Sequence, residues 1–174
     1  MIHININKHW IPCTLTMTNL FLGILALLHA FQGKFNIAAF LIIIAACVDR
    51  ADGKVARRFN LTSDFGKELD SLSDLISFGV APAVIAWGLS LNELGNIGYL
   101  LTACFPISGA YRLARYNVTE FAGVFQGIPI TVAGGLLSLV TLVTNRYDYH
   151  FLFYPAIILI LSYLMVSKIP FQKI

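Results

Sequence analysis

Six stretches free of Asp, Glu, Lys and Arg divide the chain, at residues 14–31, 35–48, 75–92, 94–111, 121–145 and 149–167. Five are about long enough to cross a hydrocarbon core as helices of roughly 20 residues; the second is short unless its helix runs on through Asp49 and beyond. The pattern predicts an all-α integral membrane protein with six transmembrane helices. Ahead of them, Ile2, Ile4, Ile6, Trp10 and Ile11 alternate with polar residues. This suits a short interfacial segment over residues 1–12 better than a cleaved leader, which would start with more basic residues. The connections left over are too short for a soluble domain, so residues 1–174 form a single membrane domain. Any chemistry must sit on the helices or at their ends.

Composition agrees: 57% hydrophobic and 12% charged residues lie far from the soluble average. Cys13, Cys47 and Cys104 lack paired spacing, which supports neither a disulfide framework nor a zinc site and leaves them as packing residues. Basic residues are retained on the cytoplasmic side of a membrane. With the N-terminus inside, Lys8, Arg50, Lys54, Arg57, Arg58, Lys67, Arg112, Arg115, Lys168 and Lys173 fall on that side, and only Lys34 and Arg146 fall outside. Both termini are therefore expected in the cytoplasm. A net charge of +3 needs no nucleic acid to explain it, because an anionic membrane surface and anionic substrates suffice.

Acidic residues are far less evenly spread. Six of nine lie between positions 49 and 74: Asp49, Asp52, Asp64, Glu68, Asp70 and Asp74. On a helix Asp49 and Asp52 share a face, as do Asp70 and Asp74. A turn over residues 60–64, where Asp64 suits an N-cap, puts Asp49 and Asp52 roughly 16 and 12 Å before it and Asp70 and Asp74 roughly 9 and 15 Å after it. The depths match, so a helical hairpin would gather four carboxylates near the cytoplasmic face. Gly53 and Gly66 leave that volume open to a ligand or a second backbone. Glu68 falls between these positions and reads as an exposed or interfacial charge.

Four carboxylates cannot stay ionised together at membrane depth without compensation. Salt bridges to Arg50, Lys54, Arg57, Arg58 and Lys67 would supply it, as would shared protons in a small cation transporter. Hard divalent cations, Mg²⁺ or Mn²⁺, are the third reading, since the donors are all oxygen. Room for four carboxylates suggests two of them, the usual apparatus of phosphoryl transfer.

Residues 49–74 read D-R-A-D-G-K-V-A-R, eight residues, then G-K-E-L-D-S-L-S-D. This resembles the signature of the CDP-alcohol phosphotransferase family, D-x-x-D-G-x-x-A-R-x8-G-x-x-x-D-x-x-x-D, with every fixed position present. The resemblance implies a six-helix enzyme, commonly a homodimer, in which an alcohol attacks the β-phosphorus of a CDP-linked lipid and CMP leaves. It implies that Asp49, Asp52, Asp70 and Asp74 bind two divalent cations and that Asp74 is also the general base. Gly53, Ala56, Arg57 and Gly66 become the CDP-binding surface, with Asn19 of the first helix a candidate to line the same pocket.

Three further segments bear on the alcohol: S-G-A-Y-R-L-A-R-Y-N at 108–117, F-Q-G-I-P at 125–129 and S-Y-L-M-V-S-K-I at 162–169. Together they resemble the phosphatidylserine synthase branch, whose members use CDP-diacylglycerol and L-serine. A phosphatidylglycerophosphate synthase is the alternative within the family. Arg112 and Arg115, three residues apart, could grip a carboxylate or phosphate through their planar forks, or simply anchor the helix at the interface. The small-transporter reading predicts internal repeats and broken helices at the midplane, which the sequence lacks. His3, His9, His29 and His150 stand alone, so a covalent histidine mechanism is not expected.

Overall fold

The computed structural model of the protein describes residues 6–59, 63–118, 125–144, 150–167 and 170–171. Seven α-helices account for most of them: α1 Ile6–Phe31, α2 Phe35–Phe59, α3 Asp64–Asp74, α4 Ala81–Leu89, α5 Asn96–Val118, α6 Ile130–Thr144 and α7 His150–Val166. A π-helical turn, Leu75–Val80, joins α3 to α4 without a break, so the helices make six rods, one for each apolar run of the sequence. Two stretches, Cys13–Phe31 and Asp64–Leu89, are long and apolar enough to cross a membrane; Ile130–Thr144 and Phe153–Val166 are apolar but shorter.

Two boundaries differ from expectation. α1 reaches back to Ile6, so part of the segment expected to lie apart from the first span is its opening turns. The N-cap of α3 is Ser63, whose Oγ accepts from Gly66 N at 3.0 Å; Asp64 is the first helical residue and offers its charge to the helix dipole. As expected, α2 does continue through Asp49, to Phe59.

Glycine decides two turns. Gly33 (φ 71°) closes α1, its N–H donating to Ala30 O at 2.9 Å, and folds α2 back along α1. Gly127 (φ 76°) turns the chain so that Ile128 N donates to Leu164 O at 3.2 Å, beside a two-residue antiparallel ladder of β1 (Phe125–Gln126) with β2 (Pro170–Phe171). A Cβ on Gly127 would sit 2.4 Å from Met165 O, so the F-Q-G-I-P element exists to seat the start of α6 on the end of α7.

The interior is built from Ile42, Phe78, Ile85, Phe105, Ile130, Leu137 and Tyr154, packed among many alanines. Helices that associate in lipid lack a hydrophobic drive between them and rely on close packing of small residues, which this interior has. The π turn is packed this closely from two sides: a Cβ on Gly23 of α1 would lie 2.4 Å from Ser77 Oγ, and one on Gly134 of α6 would lie 2.3 Å from Phe78 O. Phe21, Phe40, Leu100, Ile107, Val143 and Tyr163 are all exposed, a surface that matches acyl chains.

Candidate active site

α1 packs against both α2 and α3, and these two scarcely touch each other, so the space between them is bridged by side chains. Into it reach Asp49 from α2 and Asp70 and Asp74 from α3, with one carboxylate oxygen of each within 4.8 Å of the others. The hairpin register read from the sequence therefore holds to within a helical turn. Asp74 is 8% exposed and accepts at Oδ1 from Asn19 Nδ2 at 3.1 Å; Asp49 accepts at Oδ2 from Thr131 Oγ1 of α6 at 3.4 Å.

Asp52 departs from the expected quartet. It is buried, but it turns toward α1, where Oδ2 accepts from Thr16 Oγ1, and it is not one of the three converging carboxylates. Its Oδ1 is buried without a hydrogen-bond partner among the described residues, as is Asn19 Oδ1. Thr16, Thr131 and Asn117 are site-side residues that sequence reasoning did not single out. A lone Thr on an apolar helix usually bonds its own backbone, as Thr18 does to Thr14 O at 2.8 Å, so nothing in the sequence marks Thr16 as different.

The two arginines of the R-L-A-R element separate. Arg112 is 8% exposed, with Nε buried and unpartnered among the described residues, and its charge acts on Asp74. Arg115 instead donates from Nη1 to Val166 O at 3.0 Å and lies 5.8 Å from the centre of the Tyr111 ring. It ties the end of α5 to the end of α7. Beyond it, Asn117 Nδ2 donates to Glu68 Oε1 at 3.2 Å and Ser71 Oγ at 3.0 Å, while Lys67 Nζ reaches Asn117 O at 3.3 Å and the Tyr116 ring. Glu68 is exposed, as expected, and accepts from Asn117 in the seam between α3 and α5.

Of the expected CDP-binding residues, Gly53 lies half-buried on α2 and Gly66 in the first turn of α3, where a Cβ would come 3.1 Å from the capping Ser63 Oγ. Ala56 and Arg57 are on the last turns of α2, but their side chains lie outside the described residues. Asn19 is fully buried against Asp74.

Does this arrangement suit a divalent cation? The donors are carboxylate oxygens, which hard cations select, and opposite ligands of Mg²⁺ lie about 4.2 Å apart, so a spread within 4.8 Å fits an ion held between them. The orphaned Asp52 Oδ1 is a further buried acceptor with no proton to share among the described residues. The residues fit.

The family model for CDP-alcohol phosphatidyltransferase matches residues 9–168. Over 93% of its length the chain is 40% identical to a Helicobacter pylori protein named CDP-diacylglycerol–serine O-phosphatidyltransferase, covering 71% of that protein. A Bacillus subtilis protein of the same name is 36% identical over 94% of this chain and 90% of its own length. An archaetidylserine synthase of Methanothermobacter thermautotrophicus is 35% identical over 94% of the chain and 70% of that protein.

Proposed function

The chain belongs to the CDP-alcohol phosphatidyltransferase family, and from that premise we propose that it transfers a phosphatidyl group from CDP-diacylglycerol to the hydroxyl of L-serine, giving phosphatidylserine and CMP. The observation that carries the reading is the meeting of Asp49, Asp70 and Asp74 within 4.8 Å, with the charge of the buried Arg112 acting on Asp74. An all-oxygen acidic cluster next to a buried cation suits phosphoryl transfer, in which catalysis is mostly positioning and charge stabilisation.

Asp49, Asp52, Asp70 and Asp74 would hold two divalent cations, Mg²⁺ or Mn²⁺. When bound, these neutralise the pyrophosphate and stabilise the charge that develops on departing CMP. Asp74 takes the hydroxyl proton of serine as the serine oxygen bonds to the β-phosphorus and the bond from that phosphorus to the CMP oxygen breaks. Gly53, Ala56, Arg57 and Gly66 form the nucleotide surface, with Asn19 beneath it. Arg112 binds the serine carboxylate or a lipid phosphate, for which its fork is suited.

In this reading the six rods are six membrane spans, the exposed apolar side chains face lipid, and the site opens to the cytoplasm with both termini on that side. A homodimer is the assembly we favour. The test is CMP release by the purified protein in CDP-diacylglycerol micelles, with L-serine and sn-glycerol 3-phosphate as competing acceptors. Serine-dependent release is expected; equal or better turnover with glycerol 3-phosphate would move the acceptor to that of a phosphatidylglycerophosphate synthase.

A further inference from the structure

Two polar side chains of α1, Thr16 and Asn19, are buried (4% and 0% exposed) and three residues apart, so they present to one side of the helix. Burying a hydroxyl and an amide in an apolar helix is costly unless both are used. Each donates to a carboxylate of the signature: Thr16 Oγ1 to Asp52 Oδ2 on α2, and Asn19 Nδ2 to Asp74 Oδ1 on α3. Since an ionised carboxylate only accepts, chemistry fixes which end of the Asn19 amide faces Asp74.

A stitch between helices would need no more than that. Here, however, each bond holds a carboxylate that retains acceptor capacity for a second partner. Asp52 Oδ1 is buried, in a residue 6% exposed, and has no partner among the described residues; Asp74 supplies an oxygen to the three-carboxylate cluster. A carboxylate pivots about a single bond, so a donor that fixes one oxygen fixes the direction of the second. We propose that Thr16, together with Asn19, is a positioning residue: α1 is a strut that aims the carboxylates of Asp52 and Asp74 toward the bound cations. The inference rests on the cation reading given above and adds to it Thr16, which acts through Asp52. Thr131 makes the corresponding contact to Asp49 from α6, so three of the four carboxylates are steadied by neighbours on other helices.

Outer-shell donors of this kind change metal affinity or activity by about ten- to a hundredfold when removed. The decisive pair is Thr16→Val, which keeps the shape and deletes the donor, and Thr16→Ser, which keeps the donor. Mn²⁺ binding to purified protein in detergent is followed by the loss of the free-ion electron paramagnetic resonance signal, and the metal-free melting temperature is recorded for each. Thr16→Val should bind Mn²⁺ about ten- to a hundredfold more weakly with an unchanged metal-free melting temperature, and excess Mn²⁺ should restore most of kcat. Thr16→Ser should match the parent. The strut alone is overturned if Thr16→Val binds Mn²⁺ as the parent does, if Thr16→Ser is equally impaired, or if metal-free stability falls alongside binding. Should Thr16→Val not fold, Thr16→Ala must show the same split between binding and stability or the proposal fails. A parent protein that binds no Mn²⁺ saturably would overturn the cation reading and the strut together.

Discussion

Replacing Arg112 and Arg115 by alanine, one at a time, asks the two arginines of one short element to do different things. Arg112 keeps a guanidinium in the interior with Nε unpartnered among the described residues, and an uncompensated buried charge costs several kcal/mol. In the function proposed above, the carboxylate cluster and an incoming anion make that burial tolerable. Removing a charge-assisted hydrogen bond to substrate costs about 1.5–3 kcal/mol, or roughly ten- to a hundredfold in kcat/KM. Arg115 is already spent on Val166 O and the Tyr111 ring. Its loss should remove about 0.5–1.5 kcal/mol for the hydrogen bond and about 0.5–1 kcal/mol for the ring contact, and these are losses of stability. Serine kinetics at saturating CDP-diacylglycerol, with thermal melting alongside, separate the two. Arg112→Ala is expected to lose at least tenfold in kcat/KM for serine and Arg115→Ala chiefly to melt earlier; Arg112→Lys should rescue poorly, because an ammonium lacks the fork. The reasoning is refuted if a well-folded Arg112→Ala retains parental serine kinetics, or if Arg115→Ala loses as much catalytic efficiency as Arg112→Ala.

Asp49→Asn, Asp70→Asn, Asp74→Asn and Asp52→Asn should each lower CMP release by orders of magnitude, and EDTA should abolish it reversibly; full activity in chelator would end the cation reading. Single cysteines placed at Asn60 and Val118, in a background lacking Cys13, Cys47 and Cys104, should react with an impermeant maleimide only from the cytoplasmic side, and labelling from outside would invert the topology. Gly127→Ala should lower the melting temperature, since it combines a left-handed backbone, worth about 1–2 kcal/mol, with a Cβ 2.4 Å from Met165 O. An unchanged melting temperature would show that the α6–α7 seat yields freely.

Much of the site was readable in advance because its information is local. Four Asp at fixed intervals on two helices need only the helical rise to be placed at one depth, and Asp49, Asp70 and Asp74 meet as that arithmetic requires. What could not be read depends on which helix becomes the neighbour. Asp49 and Asp52 share a face of α2, but that Asp52 also accepts from the hydroxyl of Thr16 on α1 depends on a neighbour the spacing does not name. Arg112 and Arg115 share a spacing, but three residues on a helix leave an offset of about 60°, enough to bury one guanidinium and tie the other to α7. Asn117 gave no sign of gripping Glu68 and Ser71, nor did the apolar sequence after Asp74 announce a widened turn.

That widened turn has a consequence for how the enzyme's two solvents are reconciled. At Leu75–Val80 the bond from Ala81 N–H reaches back five residues to Ile76 O, so one residue more than an α-helix needs is taken up within a single rod. One residue of α-helix is about 100° of rotation. The turn thus acts as a phase shifter: the half that carries Asp70 and Asp74 and the apolar half Ala81–Leu89 are clocked separately. Gly23 and Gly134, pressed against Ser77 and Phe78, hold the offset in place. A chain shortened by one residue there could keep its helix content, its hydropathy and every acidic side chain, and still point its chemistry at the lipid.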